Sequence, residues 1–230
     1  VEGRITRKSI RKYKSYIVDV DGTLYFQFGV RWKMIWSIIC YIIKQPWKLQ
    51  DIRIIYLYRL LRKNGELVHT CNFTDMEFAY VASKVNTTSE YVRDVVYHWM
   101  IEIPLKYIVQ EKDKKLLDFL AERKKKGADI IVYSDYPIKE KLICLKFSYS
   151  KGYYSGDERI KCMKPDPKGL MNIIRENNLK VNNCLFIGDR LEKDGCCAEK
   201  CSMDYLILPK NKNKRKKVWK TLNIDEGESY

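Results

Sequence analysis

The hydrophobic positions change their period twice along the chain. Ser15–Val20 is a short apolar run that ends in carboxylates, the pattern of a buried strand. From about residue 30 to about residue 103, strand alternation gives way to helical spacing. Residues 31–44 form one candidate helix, interrupted by Pro46. Residues 47–63 form a second, with Leu49, Ile52, Ile55, Tyr56 and Leu60 at helical spacing and Asn64-Gly65 as its C-cap. Thr74-Asp75-Met76-Glu77 has the spacing of a capping box and opens a third. Thr87 or Thr88 opens a fourth, which runs to about Ile101 before Pro104. Past Pro104 the period switches again. An amphipathic helix over 112–126 is stopped by Gly127, and Ala128–Tyr133 reads as a strand. A helix over 137–147, a loop-like stretch over 148–162 and a helix over 167–178 follow. Cys184–Ile187 reads as a strand, 194–202 as a short helix and Tyr205–Leu208 as a last strand before Pro209.

This order predicts an α/β fold. A Rossmann-like parallel sheet is built by residues 1–25 and 105–210, and an all-α insertion occupies 26–104. Residues 211–230 read as a basic, polar tail, and residues 1–14 as a loose arm. Parallel sheets of this kind place ligands beyond the C-terminal ends of their strands. Asp19, Asp21, Ser134 and Asp189 all fall there.

Charge and cysteine content narrow the picture. The 230 residues carry a net charge of +15. Residues 1–15 contribute +5 and residues 210–230 contribute +4, which leaves a moderately basic middle suited to an anionic substrate. Solvated basic ends explain the surplus better than nucleic-acid arms do, so nucleic acid is not the expected partner. The eight cysteines lie largely in apolar runs, and the chain opens on basic and polar residues without an apolar leader-like stretch. The expectation is a reducing, cytoplasmic setting without a disulfide framework. Cys196, Cys197 and Cys201 match no common zinc-ligand spacing and have no histidine near them, so core packing is expected of them. Met34–Ile43 is strongly apolar but spans only ten residues, too short to cross a bilayer. A buried helix fits it best, and its Trp and Lys content leaves peripheral membrane contact as a minority reading.

The candidate chemistry begins at Asp19-Val20-Asp21-Gly22-Thr23. Two residues apart on a strand, Asp19 and Asp21 share a face, and a hard cation would offset their mutual repulsion. Asp, Gly and Thr are also common turn residues, so this string alone could be a polar strand end. Three later stretches change the balance: Ser134-Asp135 after an apolar strand, Lys164-Pro165-Asp166-Pro167, and Gly188-Asp189-Arg190-Leu191-Glu192-Lys193-Asp194. In this order the four stretches resemble the four motifs of the haloacid dehalogenase superfamily, and they match its phosphatase branch closely.

The resemblance implies a magnesium-dependent phosphatase that hydrolyses a small phosphorylated metabolite through an aspartyl-phosphate. Asp19 would be the nucleophile and Asp21 the general acid/base. Ser134 and Lys164 would bind the phosphoryl group. Magnesium would be held by Asp19, the Val20 carbonyl, Asp189 and Asp194, with Asp21 at the same cation. Dehalogenase members lack an acid at the Asp21 position, because a halide leaves without a proton. The insertion between the first and second motifs resembles a C1-type cap and, with its all-helical pattern, the phosphoglycolate phosphatase-like subfamily. Two alternatives share these features: a mutase of the β-phosphoglucomutase type, and a non-catalytic protein whose apolar cap docks a partner or a membrane. Ser134 could instead serve only as a helix N-cap, Lys164 as a loop lysine, and Asp194 as a cap of the helix after it. Asp135 and Asp166 read as turn or cap residues.

Overall fold

The computed structural model describes residues 10–64, 73–222 and 224, with the side chains of 63, 64, 73 and 74 excepted. Gly65 and the Thr74 side chain therefore lie outside the described residues; α3 itself begins at Phe73, one residue before Thr74, and Glu77 of the expected capping box pairs with Arg62. The elements run β1 (Ser15–Val18), α1 (Gln27–Lys44), α2 (Leu49–Asn64), α3 (Phe73–Val85), α4 (Ser89–Tyr97) and α5 (Ile103–Ile108). They continue with α6 (Lys114–Lys125), β2 (Asp129–Ser134), α7 (Lys139–Cys144), β3 (Lys151–Tyr154) and α8 (Lys168–Glu176). The chain closes with β4 (Cys184–Gly188), α9 (Cys196–Lys200), β5 (Asp204–Ile207) and α10 (Lys212–Thr221).

The strands form one parallel sheet in the order β3-β2-β1-β4-β5, with β1 at its centre. Alternation along the strands separates two apolar layers. Tyr16 and Val18 point to the layer shared with Leu116, Phe119 and Leu120 of α6. Ile17 points to the layer shared with Leu170 and Ile173 of α8 and Cys197 of α9. A parallel sheet covered on both faces needs such apolar strands. Cys197 is fully buried in that second layer, which is the packing role expected of it.

Among the described residues, the insertion between β1 and β2 contains helices and no strand, and it carries its own core. Ile54, Tyr58, Phe78, Val81, Val92, Val95 and Trp99 pack together there. Thr88 caps α4 by accepting the Tyr91 N–H at 3.2 Å. Pro104 does not end the helical run as its sequence position suggests. A π-helical turn over His98–Glu102 places it in the first turn of α5, where a missing N–H costs nothing.

Three stretches depart from the sequence reading. The loop-like 148–162 contains β3, a four-residue edge strand. The arm before β1 is anchored where it is described, with Ile10 and Tyr13 buried in the main core. The described part of the basic tail is largely a helix: α10 buries Arg215, Val218 and Trp219 against the sheet layer. Among the described residues, no helix is long and apolar enough to cross a membrane.

Candidate active site

The C-terminal end of β1 feeds directly into the Asp19–Thr23 turn. Gly22 sits at φ +97°, and a Cβ there would come within 2.5 Å of the Asp189 carboxylate, so the turn closes tightly against the loop after β4. Continuing the β1–β4 register past Val18 and Ile187 brings Asp189 level with Val20. Asp19, Asp189 and Asp194 are all buried, and one carboxylate oxygen from each lies within 4.8 Å of the others. Among the described residues this is the only cluster of histidine, cysteine or acidic side chains placed to hold a metal ion.

Lys164 binds this acidic cluster from one side. Its ammonium lies 2.6 Å from Asp19 Oδ1 and 2.6 Å from Asp194 Oδ1, and it is essentially inaccessible. Burial works to lower the Lys164 ammonium, but the two carboxylates outweigh it and hold it above the ordinary lysine value. Asp19 is pushed up to about 7, first by burial and then by Asp194, Asp189 and Asp21, against the pull of Lys164. Burial and Asp194 likewise raise the Asp189 carboxyl. Asp189 Oδ1 is buried and has no hydrogen-bond partner; Arg190 Nε stands 3.8 Å away. Lys164 thus pairs with two of the three buried acids and Arg190 stands off the third, and the orphaned Asp189 oxygen is free to ligate a cation.

Asp194 does more than face this cluster. Its second oxygen accepts the backbone N–H groups of Asp189 and Arg190 at 3.2 and 3.1 Å, folding the loop back on itself. The Val20 carbonyl accepts the N–H groups of Thr23 and Leu24 within its turn. Thr23 donates its hydroxyl to Asp19 at 3.2 Å.

Asp21 is not one of the three acids of the metal-capable cluster, so its expected share in the cation has no geometric support of that kind. Both its oxygens are taken by Lys141 of α7, at 2.6 and 2.7 Å, and Tyr25 donates its hydroxyl to Oδ1. Burial works to raise the Asp21 carboxyl, but Lys141 and Tyr25 outweigh it and keep it below the usual carboxylate range. Ser134 ends β2 and is buried, with its hydroxyl accepting the Tyr136 N–H at 3.2 Å. That contact shapes the loop before α7, so Ser134 is not the N-cap of that helix.

Several site residues carried no local sequence signal. Lys141 comes from α7, and Arg62 reaches across from α2 to donate to the Asp135 carbonyl at 2.7 Å while pairing with Glu77 at 2.8 Å. Asp135 is buried, accepts the Lys164 N–H at 3.0 Å and pairs with Lys193 at 3.0 Å. Its role is to hold the Lys164 loop, which exceeds that of a turn residue.

The helix α10 reaches the turn as well. Arg215 donates to the carbonyls of Gly22 at 2.7 Å and Thr23 at 3.0 Å, and lies 3.4 Å from Asp113. Removing that guanidinium leaves two buried carbonyls unpaired. Arg215→Met is expected to lower unfolding free energy by about 3 kcal/mol. Urea titration checks it, and a loss under about 1 kcal/mol would contradict the buttress.

The sequence model of the haloacid dehalogenase-like hydrolases matches residues 13–195. The chain belongs to this family. Among solved structures, this haloacid dehalogenase-like hydrolase is similar to the 2-haloacid dehalogenase from Pseudomonas syringae pv. Tomato DC3000 (TM-score 0.60, 16% identity, 85% of this chain and 86% of that one). It is also similar to the HAD-hydrolase YfnB from Bacillus subtilis, bound to magnesium (TM-score 0.59, 12% identity, 92% and 99%). A third is CbbY from Rhodobacter sphaeroides in complex with phosphate (TM-score 0.51, 14% identity, 86% and 86%). At these identities the likeness establishes the fold. No curated protein matches the chain.

Proposed function

We propose that the protein is a magnesium-dependent phosphomonoester hydrolase with a C1-type helical cap. The observation that carries this reading is the buried trio Asp19, Asp189 and Asp194, with an orphaned Asp189 oxygen, beside the strand end that presents Asp19. Attack by a carboxylate on carbon needs no cation among such acids. Attack on a phosphoryl group does, because two anions must approach each other. Asp19, Asp189 and Asp194 would hold magnesium, which supplies charge neutralisation for nucleophile and phosphoryl oxygens, while the Val20 carbonyl, expected among the ligands, is engaged by the Thr23 and Leu24 N–H groups.

Asp19 attacks the phosphorus and becomes the aspartyl-phosphate. Lys164 keeps Asp19 in place and faces the phosphoryl oxygens as charge develops on them. Ser134 offers its hydroxyl proton to the same group, since its oxygen already accepts the Tyr136 N–H. Asp21 gives a proton to the leaving oxygen as its bond to phosphorus breaks, then takes one from the water whose oxygen attacks phosphorus, which frees the Asp19 carboxylate and releases phosphate. In this conformation Lys141 and Tyr25 keep Asp21 ionised, the water-activating form. The proton-donating form requires a substrate oxygen to enter between Asp21 and Lys141.

A cavity of about 240 Å³ leads from Asp21 and Lys141 into the cap. Met34, Ile38, Ile55, Trp99 and Met100 line its far wall, and Arg31, Arg59 and Arg190 its polar side. Arg31, Arg59 and Arg190 crowd three like charges at this wall, so a further anionic group would relieve them. The cavity suits a small monoester whose leaving group is part apolar.

Phosphate release from a panel of monoesters, with magnesium or with EDTA, tests the reading. Release is expected with magnesium alone, and release that survives EDTA would contradict it. Magnesium is also expected to raise the melting temperature more at pH 8 than at pH 5.5. Asp19 is pushed up to about 7, so protons compete with the cation below that pH. Equal shifts in calorimetry at both pH values would contradict this assignment.

A further inference from the structure

Helix α1 is apolar on two opposite faces. Met34, Ile38 and Tyr41 pack on the cap core. Phe28, Trp32, Trp36, Ile39 and Ile43 lie on the other side, within an arc of about 100°, and all are exposed. Trp47, three residues past the helix end, is 73% exposed. Exposed apolar stripes of this size are rare on the surface of a monomer and mark contact sites.

The charges around the stripe choose the occupant. Residues 27–64 hold eight Lys/Arg and one acid, Asp51; among the described side chains, Arg62 is buried against Glu77 and Lys33 pairs with Glu111, which leaves Arg31, Lys44, Arg53 and Arg59 as exposed cations. Asp51 is buried, accepting the hydroxyls of Tyr41 and Tyr91 at 2.8 and 2.7 Å, so it presents no charge to the surface. Arg31 and Lys44, at the two ends of the stripe, are exposed, as is Arg59 across the cavity mouth. Tryptophan, isoleucine and flanking cations without an exposed acid match the interface of an anionic bilayer. The helix is not apolar enough to span one.

We propose that α1 and Trp47 lie flat on an anionic membrane surface, with the stripe at the depth of the headgroups. Arg31 and Ile35 border both this face and the cavity that leads to Asp21. Docking therefore places the cavity mouth at the membrane.

Flotation with lipid vesicles tests this. Vesicles of phosphatidylcholine mixed with phosphatidylglycerol are expected to bind the full chain at least about tenfold more strongly than phosphatidylcholine alone, and added salt is expected to weaken that preference. Trp32→Ser with Trp36→Ser is expected to reduce binding about tenfold or more with an unchanged melting temperature, because both side chains are over half exposed. Two results would overturn the proposal: no binding to the mixed vesicles, or equal binding by the double variant. A dimer in sedimentation velocity that the variant dissolves, without vesicle binding, would assign the face to a second copy of the chain. Binding is read on Asp19→Asn as well, so it stands or falls apart from the hydrolase reading.

Discussion

Asp19→Asn is expected to lower phosphate release by at least about 10⁴-fold, the scale of removing a covalent nucleophile. The same change is expected to raise the melting temperature of the metal-free protein at pH 8. Asp19 is pushed up to about 7 by burial and by three neighbouring acids. A carboxyl raised on folding costs stability once the pH exceeds its unfolded value, and the cost grows until the folded value is passed. At pH 8 the full cost is present, and a neutral amide removes it. At pH 5 folded Asp19 is already protonated, so the gain should shrink there. Calorimetry at the two pH values reads the sign. A variant that loses activity but is destabilised equally at both would show that Asp19 is a structural partner of Lys164 and not a strained nucleophile.

Lys164→Met is the second large effect, and it runs the other way. The ammonium is the cation shared by Asp19 and Asp194, both 2.6 Å away and both buried. Removing it strands two carboxylates with no water to solvate them, a loss of about 3–5 kcal/mol. Asp19 already titrates at about 7 with the lysine present, so without it protonation relieves the repulsion at higher pH still. The loss should therefore be greatest at pH 8 and smaller at pH 5. Turnover should fall sharply at either pH, because the Thr23 hydroxyl still holds Asp19 but brings no positive charge to the phosphoryl oxygens. Denaturant titrations at the two pH values, with activity on the folded fraction, check both parts; a loss independent of pH would contradict the charge argument.

The central strands were legible because β1, β2 and β4 are apolar runs that lead into Asp19, Ser134 and Asp189. β3 was not, since Lys151-Gly152-Tyr153-Tyr154 is a four-residue edge strand in which only Tyr153 is fully buried. α10 was hidden by its charge. Seven Lys/Arg over residues 210–220 mask a buried face made by Val218, Trp219 and the guanidinium of Arg215, whose partners are backbone carbonyls. In the site, Asp19, Asp21, Ser134, Lys164, Asp189 and Asp194 stand in linear strings that a sequence displays. The partners that set their charge do not. Lys141 meets Asp21 from 120 residues away, and Arg62 meets the loop at Asp135 from 73. Tyr25 alone had a local cue, four residues past Asp21.

The most direct measurement sets phosphate against halide. The protein would be given p-nitrophenyl phosphate and a 2-chlorocarboxylic acid side by side, with magnesium and with EDTA, and both inorganic phosphate and chloride would be followed. The buried acid trio and Asp21 predict phosphate release that needs magnesium, with no chloride above the uncatalysed level. Chloride release unaffected by EDTA, without phosphate release, would contradict the phosphohydrolase assignment and make Asp19 a nucleophile toward carbon.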